Sequence, residues 1–401
     1  MPHKRKEILP GVFLTCAQPM GSDGSFLRLH LLTQLDREHA AQNAAIPGVL
    51  RQGTVRWPDE DALAARLEAL HDARLEPSVS KQGEIQCLGF EAKFGRDEDL
   101  EPMAELLGEL LLAPNTRGGL LLPRYVDSEK QHLLEKVRDG QDDPLVRLIE
   151  LMCPGEDYAA WPLGDEDAVD AIGYVPLTKH YKNLLAVSPI EIFYCGREAF
   201  DRVAAAMMDA LATLPRGELD FELGTDMRMN TVDETVRVFG DEPEDGQGIL
   251  AVGYRLGEAM EDPDIPALLV ACALAAEGID GPMEPPHTDL IKGVMTTCCT
   301  VDGTKYPEVL AALERRLQAV QAGDFTGQAL DAAKDGVAGK DAWPLERLAD
   351  FWLTQNLLGL EYGPEEFMAL VEDVTPEDVV KAAAGMAIDG AYFAAADPKE
   401  D

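Results

Sequence analysis

Basic residues are scarce in this chain: 35 Lys and Arg stand against 73 Asp and Glu, a formal net charge of −38 over 401 residues. That deficit excludes nucleic acid as a partner, because binding there needs a basic surface to displace counterions. It equally disfavours an anionic membrane surface. Long apolar runs are also missing. The longest without a charge, Ile265–Ala276, falls far short of the roughly 20 residues that span a bilayer. The start, MPHKRKEILPGVFLT, has basic residues, but a proline breaks its apolar stretch and no small-residue cleavage site follows, so no signal peptide is expected. Cysteine is sparse and scattered: seven residues, adjacent only at Cys298–Cys299, with no CxxC and no Cys/His pair at zinc-ligand spacing. Buried thiols in a reducing compartment, and hence a cytoplasmic location, are the expectation.

What is present is an ordinary globular composition, 46% hydrophobic, in a chain long enough for two or three domains. The acidity is uneven. Residues 1–217 hold 23 basic and 35 acidic groups (−12), whereas 218–401 hold 12 and 38 (−26). Solubility accounts for such a surface; the sharper reading is a preference for cationic peptides.

Periodicity then gives an order of elements. Gly11–Gln18 and Ser25–Thr33 read as strands of a hairpin turning at Pro19–Gly24, followed by a helix from about Arg37 with Asp36 or Thr33 as cap. A helix over Pro58–Asp72, a strand through Leu88–Phe94, a helix through Met103–Leu111, a long helix from Asp127–Ser128, a helix over Leu177–Leu185 and a strand at Ile190–Tyr194 complete the half. The second half repeats this. Thr235–Phe239 and Ile249–Leu256 flank a turn at Gly240–Gly248; a helix at Ile265–Ala276, a strand at Val294–Val301 and helices at Pro307–Ala322 and Leu345–Leu358 follow. The ending, VTPEDVVKAAAGMAIDGAYFAAAD, lines up without gaps beside VPLTKHYKNLLAVSPIEIFYCG. The expectation is an α+β protein of two tandem homologous domains, 1–217 and 218–401, each a mostly antiparallel sheet with helices on one face. The second is shortened after its first helix, where EGIDGPMEPPHTDLIKG leads straight into a strand.

Chemistry-bearing motifs are absent. His3, His30, His39, His71, His132, His180 and His287 form no HxH, HxxxH or HExxH, and Glu38–His39 ends an HxxEH whose first position is Leu35. There is no GxxxxGK[ST], strand-borne GxGxxG or GxSxG. Asp241–Gly246 opens like a calcium loop but has Pro243 at a ligand position and no glutamate at the twelfth, so a turn is expected. Cys298–Cys299 lies in a strand-like run, which puts the two side chains on opposite faces.

Four segments nevertheless carry a resemblance: LTQLDREHAAQNAAIPGVLRQGT (Leu32–Thr54), LEALHDARLEPSVSKQGEIQCLGFE (Leu67–Glu91), EKQHLLEKVRDGQDDPLVRLIELMC (Glu129–Cys153) and LTKHYKNLLAVSPIEIFYCG (Leu177–Gly196). The chain resembles, over almost its whole length, the pitrilysin/insulinase/mitochondrial processing peptidase family of inverted-zincin metallopeptidases. It looks most like the proteolytically inactive members of the bacterial two-domain branch. The resemblance implies a half-clamshell fold. In active members HxxEH on the first long helix supplies two zinc-binding histidines and a water-polarising glutamate. Counted back from the family's Gly-Thr pair, here Gly53–Thr54, the histidine positions fall on Ala44 and Gly48 and the glutamate on Pro47. None can ligate a metal or take a proton. The third ligand of active members is a downstream helical glutamate, for which Glu129 and Glu135 are both candidates. The family's second half commonly contributes an arginine and, seven residues on, a tyrosine to the substrate; between Ala275 and Leu290 there is neither. The resemblance therefore implies a non-enzymatic homologue with no metal and no cofactor. It would serve as a helper subunit to an HxxEH-bearing peptidase or, self-associated or alone, as a peptide-binding or scaffolding protein.

Overall fold

The computed structural model describes residues 4–18, 24–71, 73–219, 222–225, 237–240, 246–260, 264–277, 285–339 and 343–395. In chain order the first half contains strands β1 (Lys4–Leu9), β2 (Val12–Ala17) and β3 (Ser25–Gln34), helices α1 (Ala40–Arg51) and α2 (Glu60–Ala69), strands β4 (Arg74–Gln82) and β5 (Ile85–Phe94), and helix α3 (Leu100–Leu112). A short ribbon, β6 (Thr116–Arg117) and β7 (Leu120–Leu121), leads to helices α4 (Pro123–Gln141), α5 (Pro144–Met152), α6 (Glu166–Asp170) and α7 (Tyr174–Val187), then β8 (Ile190–Cys195) and α8 (Phe200–Ala210). The second half has β9 (Arg237–Gly240), β10 (Gln247–Arg255), α9 (Ile265–Ala275), β11 (His287–Asp289) and β12 (Val294–Asp302). Helices α10 (Tyr306–Ala322), α11 (Gly327–Ala338), α12 (Leu345–Leu358), α13 (Pro364–Asp373) and α14 (Pro376–Ala383) and strand β13 (Ala387–Ala395) close it.

The two main sheets run β1-β2-β8-β3-β5-β4 and β11-β12-β10-β13-β9. Read from β2 in the first and from β9 in the second, they share one plan: opening strand, closing strand, second strand, then the two that follow in space. Here the structure corrects the sequence reading. Neither pair of opening strands forms a hairpin, because β8 lies between β2 and β3 and β13 lies between β9 and β10. The closing strand runs parallel to the first strand (Val12 opposite Ile190, Arg237 opposite Gly390) and antiparallel to the second. A parallel partner needs a long crossover connection, which the helices of each half supply. The long helix expected from Asp127–Ser128 starts earlier, at Pro123, whose fixed φ suits a first turn. Helices α11 and α13 were not foreseen. The Asp241–Gly246 turn, all but Gly246, lies outside the described residues.

Two compact units result, and they are not contiguous in sequence. One comprises Met1–Asp139, Ala160–Gly224 and Ala342–Glu361; the other comprises Gly140–Ala159, Thr225–Asp341 and Tyr362–Asp401. Relative to contiguous halves, the segments carrying α5 and α12 have changed places. In the first unit the strand alternation sends Leu27, Leu29 and Leu31 into the core formed with α1, α3 and α7. The opposite face, carrying Arg28, His30 and Leu32, is covered by α12: Leu353 packs with Leu32, Ile85 and Cys87, and Arg28 pairs with Asp350 at 2.5 Å. In the second unit Tyr254 is buried towards α9, while its neighbours Gly253 and Arg255 face α5. Gly253 is required by that packing, since a Cβ there would lie 2.4 Å from Met152 Sδ. Buried ions latch the segment: Arg255 bonds Glu156 (2.8 Å) and Asp389 (3.0 Å), and Lys292 bonds Glu156 (2.9 Å). Burial alone would raise the Glu156 carboxyl, but the hydrogen bonds from Arg255 and Lys292 hold it below its ordinary range.

Candidate functional site

The site is built on α1, AAQNAAIPGVLR, which is buried at ten of its twelve positions and so reads as apolar all round. The helix starts later than expected and its N-cap is His39, not Asp36 or Thr33; the Asp36 carboxylate accepts from the backbone N–H of His39 at 2.7 Å in the turn before it. Pro47 sits inside it, so the carbonyl four residues earlier, that of Asn43, loses its helical donor. Ala44, Pro47 and Gly48 are all buried and none carries a ligand atom. The chain after α1 is held by Gln52, whose Nε2 donates to the Tyr125 carbonyl at 2.8 Å and so ties α1 to the start of α4. Gly53 is needed there, because a Cβ would stand 2.7 Å from the Pro58 carbonyl oxygen and 2.8 Å from the Tyr125 hydroxyl.

Of the two candidate glutamates, the structure brings one to α1. A Cβ on Gly48 would lie 2.1 Å from Glu129 Cδ, so the Glu129 carboxyl occupies the space a side chain at 48 would fill. Glu135 is exposed. Burial pushes the Glu129 carboxyl up to about 7, against the opposing pull of Lys136. A zinc ion, which the resemblance implies for active relatives, finds one carboxyl and three side chains without donors. The residues do not fit the metal. Among the described residues no group of three or more His, Cys, Asp or Glu is arranged to hold a metal ion.

A neighbouring polar relay escaped the sequence reading. Gln86 Nε2 donates to the carbonyls of Ala40 (3.1 Å) and Pro162 (2.6 Å), which fixes its amide orientation. Its Oε1 therefore accepts from Asn43 Nδ2 (2.7 Å), and Asn43 Oδ1 accepts from His180 Nε2 (2.6 Å). The His180 ring stacks on His39 at 5.2 Å and 15°, and His39 Nδ1 meets Asp36 at 3.0 Å. Burial, then the neighbouring His39, lowers the His180 pKa. Planes so nearly parallel do not converge on one ion, so the pair is a stacking contact rather than half of a metal site. The amide pair Gln42–Asn43, in a helix otherwise apolar up to Arg51, was the available signal. The Ala275–Leu290 connector, expected to lack substrate contacts, is described only in part, as Ala275–Glu277 and from Pro285, where β11 begins two residues later.

The remaining predicted positions are ordinary. Cys299 is buried in β12 and Cys298 half-buried, as opposite faces require. No helix among the described residues is long and apolar enough to cross a membrane.

No family model matches the sequence. The "Probable inactive metalloprotease YmfF" of Bacillus subtilis (strain 168) is 25% identical over 392 residues, covering 90% of this chain and 91% of that protein. The peptidase M16 inactive domain from Pseudomonas fluorescens superposes with a TM-score of 0.76 at 14% identity, covering 98% of both chains. The periplasmic protease PqqL from Escherichia coli gives a TM-score of 0.69 at 12% identity; the match covers 98% of this chain but 47% of that one. The chain is thus similar over nine-tenths of its length to YmfF and shares the fold of the M16 inactive domain.

Proposed function

We propose that the chain is a non-catalytic subunit that pairs with an HxxEH-bearing homologue and forms with it a chamber for peptides. The observation that carries this reading is the match to about half of PqqL: a chain of this fold corresponds to one half of a longer protease. In this reading Ala44, Pro47 and Gly48 are the degenerate motif positions, and Glu129 is a relic of the third ligand. One of the two outer strands of the first sheet, β4, is the place for strand addition by a peptide backbone. The excess of negative charge in 218–401 favours basic peptides, in a manner weakened by salt. Five buried cysteines, at 87, 153, 195, 272 and 299, support a reducing, cytoplasmic setting, although PqqL is described as periplasmic.

Co-expression with an HxxEH-bearing homologue from the same host tests the proposal. A stable complex whose peptide cleavage needs both chains is the expected result. Failure to associate, with cleavage unchanged by this chain, overturns it. The absence of Arg and Tyr between Ala275 and Leu290 favours a second reading, a stand-alone or self-associating peptide-binding scaffold. That reading predicts peptide binding by the purified chain with no zinc-loaded homologue attached.

A further inference from the structure

Arg28 and His30 stand two apart on β3, so both face α12, and both are almost fully buried at 6% and 2% exposure. Their hydrogen-bond directions can be assigned. Ser78 Oγ donates to the Glu91 carboxylate at 3.0 Å, which uses the hydroxyl's single proton. His30 Nε2, 3.0 Å from the same oxygen, must therefore be the donor to it. In neutral His30 this leaves Nδ1 as a bare lone pair, and it has no partner among the described residues. Burial and the adjacent guanidinium keep the ring neutral, with a pKa lowered to about 3. Arg28 in turn directs NH1 to Asp350 (2.5 Å) and NH2 to Glu91 (2.9 Å), while its Nε–H has no acceptor among the described residues. Both residues line a cavity of about 20 Å³ with Thr15, Glu191 and Asn356.

One buried lone pair therefore needs a donor and one buried N–H needs an acceptor, in a cavity large enough for a single water by the usual threshold of roughly 10–15 Å³. A cation there would face Arg28, and an anion would face Glu91 and Glu191. A neutral molecule that both donates and accepts meets neither objection. We propose that this cavity binds one internal water, which accepts from Arg28 Nε–H and donates to His30 Nδ1. The water closes a ring of hydrogen bonds through Arg28, His30, Ser78 and Glu91, leaving its second proton for Thr15 or Glu191. A polar sheet face can then lie beneath α12 with its buried groups satisfied, where a broken ring would carry two orphaned atoms.

A crystal structure of the full chain at water-resolving resolution tests this. One density peak within about 2.6–3.2 Å of both nitrogens is expected. Ordered Arg28 and His30 side chains with no such peak, or with either nitrogen paired directly to protein, overturn the proposal. In solution, ¹⁷O relaxation dispersion counts long-lived waters: His30→Leu is expected to remove one from the count, and the exposed-site control Glu135→Gln none. An unchanged count in folded His30→Leu also overturns it. Should that variant not fold, the wild-type crystal alone decides.

Discussion

Replacing Glu129 by glutamine keeps the shape of the side chain beside Gly48 and removes its charge. The Glu129 carboxyl has an ordinary pKa of 4.5 and is pushed up to about 7 by burial in the fold. A raised carboxyl favours the protonated form of the native state, so its destabilising effect is absent below pH 4.5, grows between 4.5 and 7 and is complete above 7. The full shift corresponds to about 3 kcal/mol. Because Glu129 is only partly buried, solvent discounts that to about 1–2 kcal/mol. Glu129→Gln is therefore expected to raise stability by that amount at pH 8 and to change it little at pH 4.5. Urea unfolding of both proteins at the two pH values measures the difference, and the comparison cancels every other titration. The structure adds a second arm: Gly48→Ala puts a methyl 2.1 Å from Glu129 Cδ, so the carboxyl must swing outward and become hydrated. In that background the pH-dependent gain from Glu129→Gln should shrink towards zero. A gain equal at both pH values, or destabilisation at pH 8, would refute the placement of Glu129 against Gly48.

Other expectations follow from the same packing. His30 has its pKa lowered from 6.5 to about 3 by burial and then by Arg28, so its contribution to stability is present above pH 6.5 and lost as pH falls towards 3. Between pH 7 and pH 5 the wild type should lose about 2 kcal/mol that His30→Gln does not, as read by thermal or urea unfolding. Gly89→Ala should cost about 3 kcal/mol or more, because its Cβ would stand 1.9 Å from the Leu29 carbonyl oxygen on the paired strand and a sheet interior cannot yield. Arg255→Met leaves Glu156 and Asp389 buried without their shared cation and should cost about 3–5 kcal/mol, seen as loss of amide protection in 144–152. Purified chain should carry far less than one zinc per molecule by elemental mass spectrometry, and EDTA should leave its melting temperature unchanged; stoichiometric, chelator-sensitive zinc would contradict the reading of Ala44, Pro47 and Gly48.

Local periodicity made the elements legible because each strand or helix reports its own buried face. Leu27, Leu29 and Leu31 alternate, and Met103, Leu106, Leu107, Leu110 and Leu111 mark one side of α3. Pairing between elements leaves no such trace. Nothing in residues 11–33 says that β8, some 160 residues on, will insert between β2 and β3, and the short turn-like Pro19–Gly24 argued for the simpler hairpin. The duplication could have corrected this, because the same insertion of the closing strand occurs twice. The traded helices were illegible for a related reason. The amphipathic face of α12 shows that it packs on something, but it is Arg28, His30, Glu91 and Lys93, charged or titratable residues on an otherwise core-like strand pair, that hint that a polar face lies waiting.

At the candidate site the legible part was what the motif positions lack, since Ala, Pro and Gly carry no ligand atoms wherever they sit. The choice between Glu129 and Glu135 was not legible, because six residues separate them on one helix and both lie near enough in sequence. Only packing separates them: Glu129 enters the space that glycine leaves at position 48, whereas Glu135 points to solvent. Glycine at 48 and the position of the Glu129 carboxyl are therefore linked in this fold. A bulkier residue at 48 would displace Glu129, and with glycine there the carboxyl fills the gap at the cost of a raised pKa. Glycine at 48 thus lets the helix pack closely against Glu129, as the proposed non-catalytic role requires.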